Sequence, residues 1–71
     1  MESSQLARRI RAFRKLKGLT QAELADRLGV SIGILGAVER GTRVPDEKLI
    51  SNIAKVLGVD ESELVAKSPN R

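Results

Sequence analysis

Residues 20–41 read TQAELADRLGVSIGILGAVERG, and this stretch decides the fold of the chain. Its first half carries an apolar stripe at the spacing of a helix, formed by Leu24, Ala25 and Leu28. Thr20 with Glu23 three residues later is typical of a capping box, which starts a helix. Gly29 predicts the end of that helix, because glycine adopts a left-handed backbone at low cost.

The second half of the stretch predicts another helix that follows a short turn. Ser31 can cap this helix through its hydroxyl group, and Gly41 is the next stop signal. Leu35 and Val38 lie three residues apart and are expected to face inward. Because the turn is short, the two helices must cross steeply, which is the geometry of a helix-turn-helix.

The stretch resembles the helix-turn-helix of phage-repressor-type (Cro-like, XRE family) DNA-binding domains. The resemblance covers roughly residues 6–65. It is carried by Gln21, by the pair Leu24-Ala25, and by the segments 28–31 (LGVS) and 38–41 (VERG). It implies a lambda-repressor-like fold and a repressor-like transcriptional regulator that binds double-stranded DNA in a sequence-dependent way. A homodimer, formed in solution or only on DNA, and a cytoplasmic, nucleoid-associated location in a bacterium or phage are implied as well.

The whole chain is predicted to be an all-α, compact five-helix bundle. The helices are expected at about 4–17, 21–28, 32–40, 47–57 and 61–67. Residues 1–67 form a single helix-turn-helix domain, and residues 68–71 are expected to be a flexible tail. Ser3 or Ser4 is the expected cap of the first helix, whose apolar stripe comprises Leu6, Ile10, Phe13 and Leu16. Asp46 is the expected cap of the fourth helix.

Composition narrows the classes of function. The chain has 71 residues, with no Cys and no His, so thiolate and imidazole metal sites are excluded and no cofactor or metal is expected. The same absence argues against an enzyme, because no catalytic constellation is visible. No apolar run approaches the roughly 20 residues that span a bilayer, so no membrane partner is expected. The net charge is +4, and residues 1–17 alone carry +5, which favours a polyanionic partner.

The third helix is expected to present its outward side chains to base edges in the major groove. These outward positions are Ile32, Gly33, Gly36, Ala37 and Arg40. Ser31 at the start of the helix can reach a base or a phosphate. Few of these residues offer a hydrogen-bond donor or acceptor, so the sequence predicts only modest direct base readout.

Contacts to the DNA backbone are better supplied. The resemblance implies that Gln21 contacts the backbone and that Arg40 and Arg43 lie along it. It also implies that Arg14 and Glu39 form a structural ion pair, with Arg14 near the phosphates as well.

Two further interpretations stay open at this point. The apolar third-helix face, with Ile34 beside it, is compatible with a protein-interaction module and a regulatory protein partner on the same scaffold. Leu64 and Val65 on the fifth helix are candidates for a dimer contact, although they are equally suited to completing the core.

Overall fold

A computed structural model describes residues 2–65 of the chain, and it describes the side chains from residue 5 onward. It contains five helices: α1 (Glu2–Leu16), α2 (Gln21–Leu28), α3 (Ile32–Arg40), α4 (Glu47–Leu57) and α5 (Glu61–Leu64). Within this range there is no strand, so the predicted all-α class is confirmed. The bounds of α2, α3 and α4 coincide with the predicted ones.

Hydrogen bonds at the helix ends explain why these three bounds follow from the sequence. Thr20 Oγ1 accepts from the Glu23 N–H at 3.0 Å, and Glu23 Oε1 accepts from the Thr20 N–H at 2.8 Å, which completes the capping box. Ser31 Oγ caps α3 by accepting from the Ile34 N–H at 3.1 Å. Asp46 Oδ1 does the same for α4.

Gly29 shows why the turn of the motif needs a glycine. Its φ is +71°, a left-handed conformation that ordinary side chains disfavour. The next N–H, that of Val30, donates to the Ala25 carbonyl at 3.1 Å and closes the end of α2. The chain then enters α3 directly at the Ser31 cap.

One core holds the five helices together. α1 packs against α3, α4 and α5, while α2 packs against α3 and α4. The largest fully buried side chains come from all five helices and are Ile10, Leu24, Leu35, Val38, Ile53, Leu57 and Leu64. Ala25 of α2 is buried in this core as well.

The ends of α1 differ from the prediction. The helix begins at Glu2, so Ser3 and Ser4 lie inside its first turn and neither is the cap. Leu16 is 76% exposed and not part of the buried stripe. It lies six residues after Ile10, which on a 3.6-residue helix turns it well away from the core. The core-facing position four residues after Ile10 is occupied by Arg14.

α5 is shorter than predicted, because it ends at Leu64 and Val65 leaves the helical conformation. The predicted extension to residue 67 and the predicted tail at 68–71 lie otherwise outside the described residues. Leu64 is only 1% exposed, so the proposal that it forms a dimer contact is wrong. It completes the core instead, and Arg9 reaches across from α1 to the neighbouring Glu63 carbonyl.

The capping box at the start of α2 should make the stability of the protein depend on pH. Hydrogen bonds from the backbone and then the side chain of Thr20, helped by the charge of Arg27, lower the pKa of Glu23 below its ordinary value. A lowered pKa stabilises the folded state above the unfolded-state value of about 4.3, and this contribution is lost as the pH falls through the lower folded-state value. Glu23→Gln keeps an acceptor but removes the charge. We expect the variant to be less stable than the unsubstituted protein at pH 7.

Urea unfolding at pH 7 and at about pH 3 measures this effect on the free energy of unfolding. The difference between Glu23→Gln and the unsubstituted chain should shrink as the pH is lowered. A difference that stays the same at both pH values would contradict the assignment.

Candidate nucleic-acid interface

α3 presents an open, largely apolar surface at its N-terminal end. Ile32 is 52% exposed, and Ser31 and Gly33 are exposed beside it. Ile34 and Ala37 are half-buried. The opposite face of the helix is held in the core by Leu35 and Val38, as predicted. The outer face therefore has room for a ligand but offers few hydrogen-bonding groups.

Gly36 does not belong to the open part of this surface. It is buried, so the prediction that it faces outward is wrong. A Cβ built on it would lie 3.2 Å from Nη1 of Arg40 and 3.8 Å from Oε1 of Gln21. These two side chains cover the glycine. Helical periodicity gives the direction in which residue 36 points, but it does not show which neighbouring side chains lie across it.

Arg14 and Glu39 form a two-pronged ion pair between α1 and α3. Arg14 Nε donates to Glu39 Oε2 at 2.7 Å, and Nη2 donates to Oε1 at 3.1 Å. The third nitrogen, Nη1, donates to the Leu19 carbonyl at 2.8 Å. The side chains are only 11% and 3% exposed. The pair therefore fixes α3 against α1 and against the segment that leads into α2.

The same contacts correct the second role predicted for Arg14. All three guanidinium nitrogens already donate inside the protein, and the residue is 9% exposed. A side chain buried in this way offers little surface to a DNA phosphate. Arg14 is a packing and positioning residue, not part of the candidate contact surface.

Gln21 is the residue that links the ion pair to the surface. It lies half-buried at the start of α2, and its Nε2 donates to Glu39 Oε1 at 3.1 Å. Because a carboxylate only accepts hydrogen bonds, this contact fixes which way the amide is turned. One Nε2 hydrogen remains for another acceptor. Sequence analysis identified Gln21 and Glu39 as separate candidates but did not predict the hydrogen bond between them. No local pattern connects two residues that are 18 positions apart.

The turn after α3 places two exposed cations. Gly41 has a φ of +79°, and the N–H and hydroxyl groups of Thr42 both donate to the Ala37 carbonyl, at 3.0 and 3.2 Å. The Arg43 N–H donates to the same carbonyl at 3.3 Å. The turn is thereby folded onto the end of α3. Arg40 and Arg43 are exposed on either side of it.

Comparison with known proteins identifies the family. The helix-turn-helix family model HTH_3 matches residues 10–64. The Bacillus subtilis protein YazB, described as an uncharacterized HTH-type transcriptional regulator, is 52% identical over 64 residues, which cover 90% of this chain and 93% of that protein. The chain belongs to the helix-turn-helix family.

Further relatives of this helix-turn-helix protein include a phage repressor and solved regulators. The cryptic phage CTXphi transcriptional repressor RstR of Vibrio cholerae is 37% identical over 60 residues, 84% of this chain and 54% of the repressor. The crystal structure of the clp gene regulator ClgR from Corynebacterium glutamicum superposes with a TM-score of 0.89 at 30% identity, over 93% of this chain and 70% of that one. The crystal structure of the restriction-modification controller protein C.AhdI from Aeromonas hydrophila superposes with a TM-score of 0.83 at 34% identity. The match covers 87% of this chain and 94% of that one.

Membrane insertion finds no support in the part of the chain that the structure describes. None of the helices between residues 2 and 65 combines the length and the apolar character that crossing a bilayer requires.

Because the ion pair is buried, we expect a single substitution in it to lower the free energy of unfolding much more than a double substitution does. Glu39→Ala leaves the guanidinium of Arg14 buried without its carboxylate, which should cost about 3–5 kcal/mol of unfolding free energy. Replacing both residues by apolar ones, Arg14→Met with Glu39→Leu, should recover most of that loss, because no unpaired charge remains. Urea denaturation followed by circular dichroism measures both.

Arg9→Ala is the matched control for this pair. It removes a half-buried arginine whose hydrogen bond to the Glu63 carbonyl is 3.2 Å long, and it should cost no more than about 1 kcal/mol. If Glu39→Ala were as mild as this control, the buried pair would not hold α3 in place.

Proposed function

We propose that this DNA-binding transcriptional regulator of the helix-turn-helix family binds double-stranded DNA by laying α3 in the major groove. The open face at the start of α3, around Ile32, supports this placement because Ile32 is 52% exposed. The single observation that carries the proposal is the position of exposed Arg40 and Arg43 at the other end of the same helix. Cations at this position can bind the phosphates that border the groove.

Gln21 supplies a third backbone contact in this arrangement. It stands at the N-terminal end of α2, where unpaired backbone N–H groups and the helix dipole favour an anion. Its amide is oriented by Glu39, so its remaining Nε2 hydrogen is already placed when DNA arrives. Binding then costs little side-chain ordering at this position.

Sequence choice is modest in this proposal. Direct readout of a base requires donors and acceptors on the groove-facing residues, and Ile32, Gly33 and Ala37 provide none. Contact of Ile32 or Ala37 with thymine methyl groups, hydrogen bonds from Ser31 and the shape of the duplex supply the selectivity that exists. The backbone contacts set the register of the protein on DNA without selecting a sequence.

The remaining features of the proposal concern the setting in which the protein acts. It binds DNA as a homodimer, since two half-sites give a short recognition helix both affinity and symmetry. Half-buried Val65 is the part of the predicted dimer contact that remains after Leu64 is assigned to the core. Its place is the cytoplasm, on the nucleoid, because its ligand is there. It acts by binding and not by catalysis.

Titration of a fluorescent duplex at several salt concentrations tests the backbone contacts. Gln21→Ala and Arg43→Ala should each weaken binding by roughly ten- to hundredfold at low salt, which corresponds to the loss of one hydrogen bond to a charged group. Arg43→Ala should also reduce the slope of log K against log salt by about 0.9, the value expected for one phosphate contact.

Arg8→Ala is the matched control for the loss of a positive charge. Arg8 is exposed on α1 and is distant from α3 in the sequence. It is not one of the residues that we propose to contact DNA. Its removal should change affinity less than Arg43→Ala does. Equal losses would mean that net charge alone, not the arginines around α3, determines binding.

Selection of bound duplexes from a random pool tests the modest specificity. The best sequence should bind no more than about 10³ times more tightly than mixed DNA, the lower end for specific regulators. A palindromic consensus is expected from the homodimer. A preference far above this limit, insensitive to salt, would contradict the predicted mode of readout, and the absence of any DNA binding would favour a protein partner for the face around Ile32.

A further inference from the structure

Two polar side chains lie across one glycine of α3. A Cβ built on Gly36 would be 3.2 Å from Nη1 of Arg40, and 3.8 and 3.9 Å from Oε1 and Nε2 of Gln21. The first distance is shorter than the favourable separation of nonbonded atoms, about 3.5–4.0 Å. A Cβ at position 36 would therefore require the guanidinium of Arg40 to move by a few tenths of an ångström.

Backbone conformation does not explain why a glycine stands there. Glycine is less favourable than alanine inside a helix, and Gly36 does not have the positive φ that Gly29 and Gly41 require. Gly33, the second residue of α3, lies three residues before Gly36 and differs from it. A Cβ there would meet only Ser31 Oγ, at the ordinary contact distance of 3.8 Å. What distinguishes Gly36 is the pair of side chains above it.

We propose that Gly36 is a positioning residue for Arg40. The absence of a side chain at position 36 lets the Arg40 guanidinium fold back along α3 until it lies next to the Gln21 carboxamide. The two groups then contact the same DNA backbone phosphate. This inference rests on the proposed function, because it assigns a ligand to the surface that faces DNA.

The geometry of a helix favours this arrangement. Arg40 follows Gly36 by four residues, and side chains on a helix lean toward its N-terminus, so the guanidinium lies over the earlier residue. Gln21 is held from below by its hydrogen bond to Glu39, which directs the other Nε2 hydrogen away from that carboxylate. A phosphate has several acceptor oxygens, and it can take a charge-assisted bond from Arg40 and a neutral one from Gln21 together.

A double-mutant cycle with Gly36→Ala and Arg40→Ala tests the inference. Binding to a fluorescent mixed-sequence duplex is measured by anisotropy at several salt concentrations. Gly36→Ala should weaken binding about fivefold when Arg40 is present and change it little in the Arg40→Ala background, because only neighbours that act together depart from additivity. It should also shift the salt slope toward that of Arg40→Ala, by up to about 0.9.

Thermal unfolding separates this effect from damage to the fold. Gly36→Ala should unfold at the same temperature or a higher one, since alanine favours the helix and only the end of a flexible side chain must move. Gly33→Ala is the matched control: it makes the same change in a helix glycine with room for the methyl group. Its effect on binding, whatever its size, should be the same with and without Arg40.

Three results would overturn the inference. If Gly36→Ala weakened binding equally in both backgrounds, the glycine would serve a close approach of DNA to the backbone of α3. If Gly36→Ala bound DNA as tightly as the unsubstituted protein, the position of Arg40 would not depend on a glycine at position 36. If Gly33→Ala depended on Arg40 as Gly36→Ala does, helix stiffness would be the cause. Failure of the unsubstituted protein to bind duplex DNA at low salt would instead overturn the proposed function on which the inference rests.

Discussion

The bidentate pair between Arg14 and Glu39 is the contact on which the arrangement of this molecule depends. Two charges removed from water must meet in good geometry, or the cost of removing them is not recovered. Here the carboxylate receives two guanidinium nitrogens, and the third nitrogen reaches the Leu19 carbonyl. The pair joins α1, α3 and the segment before α2 in one geometry. Apolar packing alone is less directional, and it would tolerate small rotations of α3 that this pair does not.

The ion pair also reaches the surface that we assign to DNA. Glu39 Oε1 accepts from Nε2 of Gln21 as well as from Arg14, so a buried group sets the orientation of a half-buried one. Gln21 and Arg40 in turn lie over Gly36. A continuous set of hydrogen bonds thus runs from buried Arg14 through Glu39 to half-buried Gln21, and Arg40 lies over the same glycine as Gln21. This preorganisation suits a small protein, because each side chain that is already ordered reduces the entropy lost on binding.

The chemistry of the outer face explains the kind of regulator this chain is proposed to be. In this proposal, position and affinity come from arginines and an amide around α3, whereas sequence choice would need polar groups along its outer face. That face offers Ile32, Gly33 and Ala37. We therefore propose a protein whose affinity depends on salt and whose selectivity relies on apolar contacts, on DNA shape and on pairing of two half-sites.

The sequence by itself determined the elements and their limits where the signals are local. α2, α3 and α4 begin and end as predicted because Thr20, Ser31 and Asp46 bond to groups three residues away and because glycine ends each helix. These contacts depend only on neighbours in the chain. The inward direction of Leu35 and Val38 follows in the same way from helical periodicity.

Only the tertiary structure decided what each side chain meets. Leu16 is exposed, Arg14 is buried in its ion pair with Glu39, Leu64 lies in the core and Gly36 lies beneath Arg40 and Gln21. Each of these facts concerns residues that are distant in the chain or side chains that fold back on a helix. Periodicity gives the direction of a side chain from its own helix, but burial and hydrogen bonding depend on which other helix lies in that direction. That is fixed by packing of the whole core.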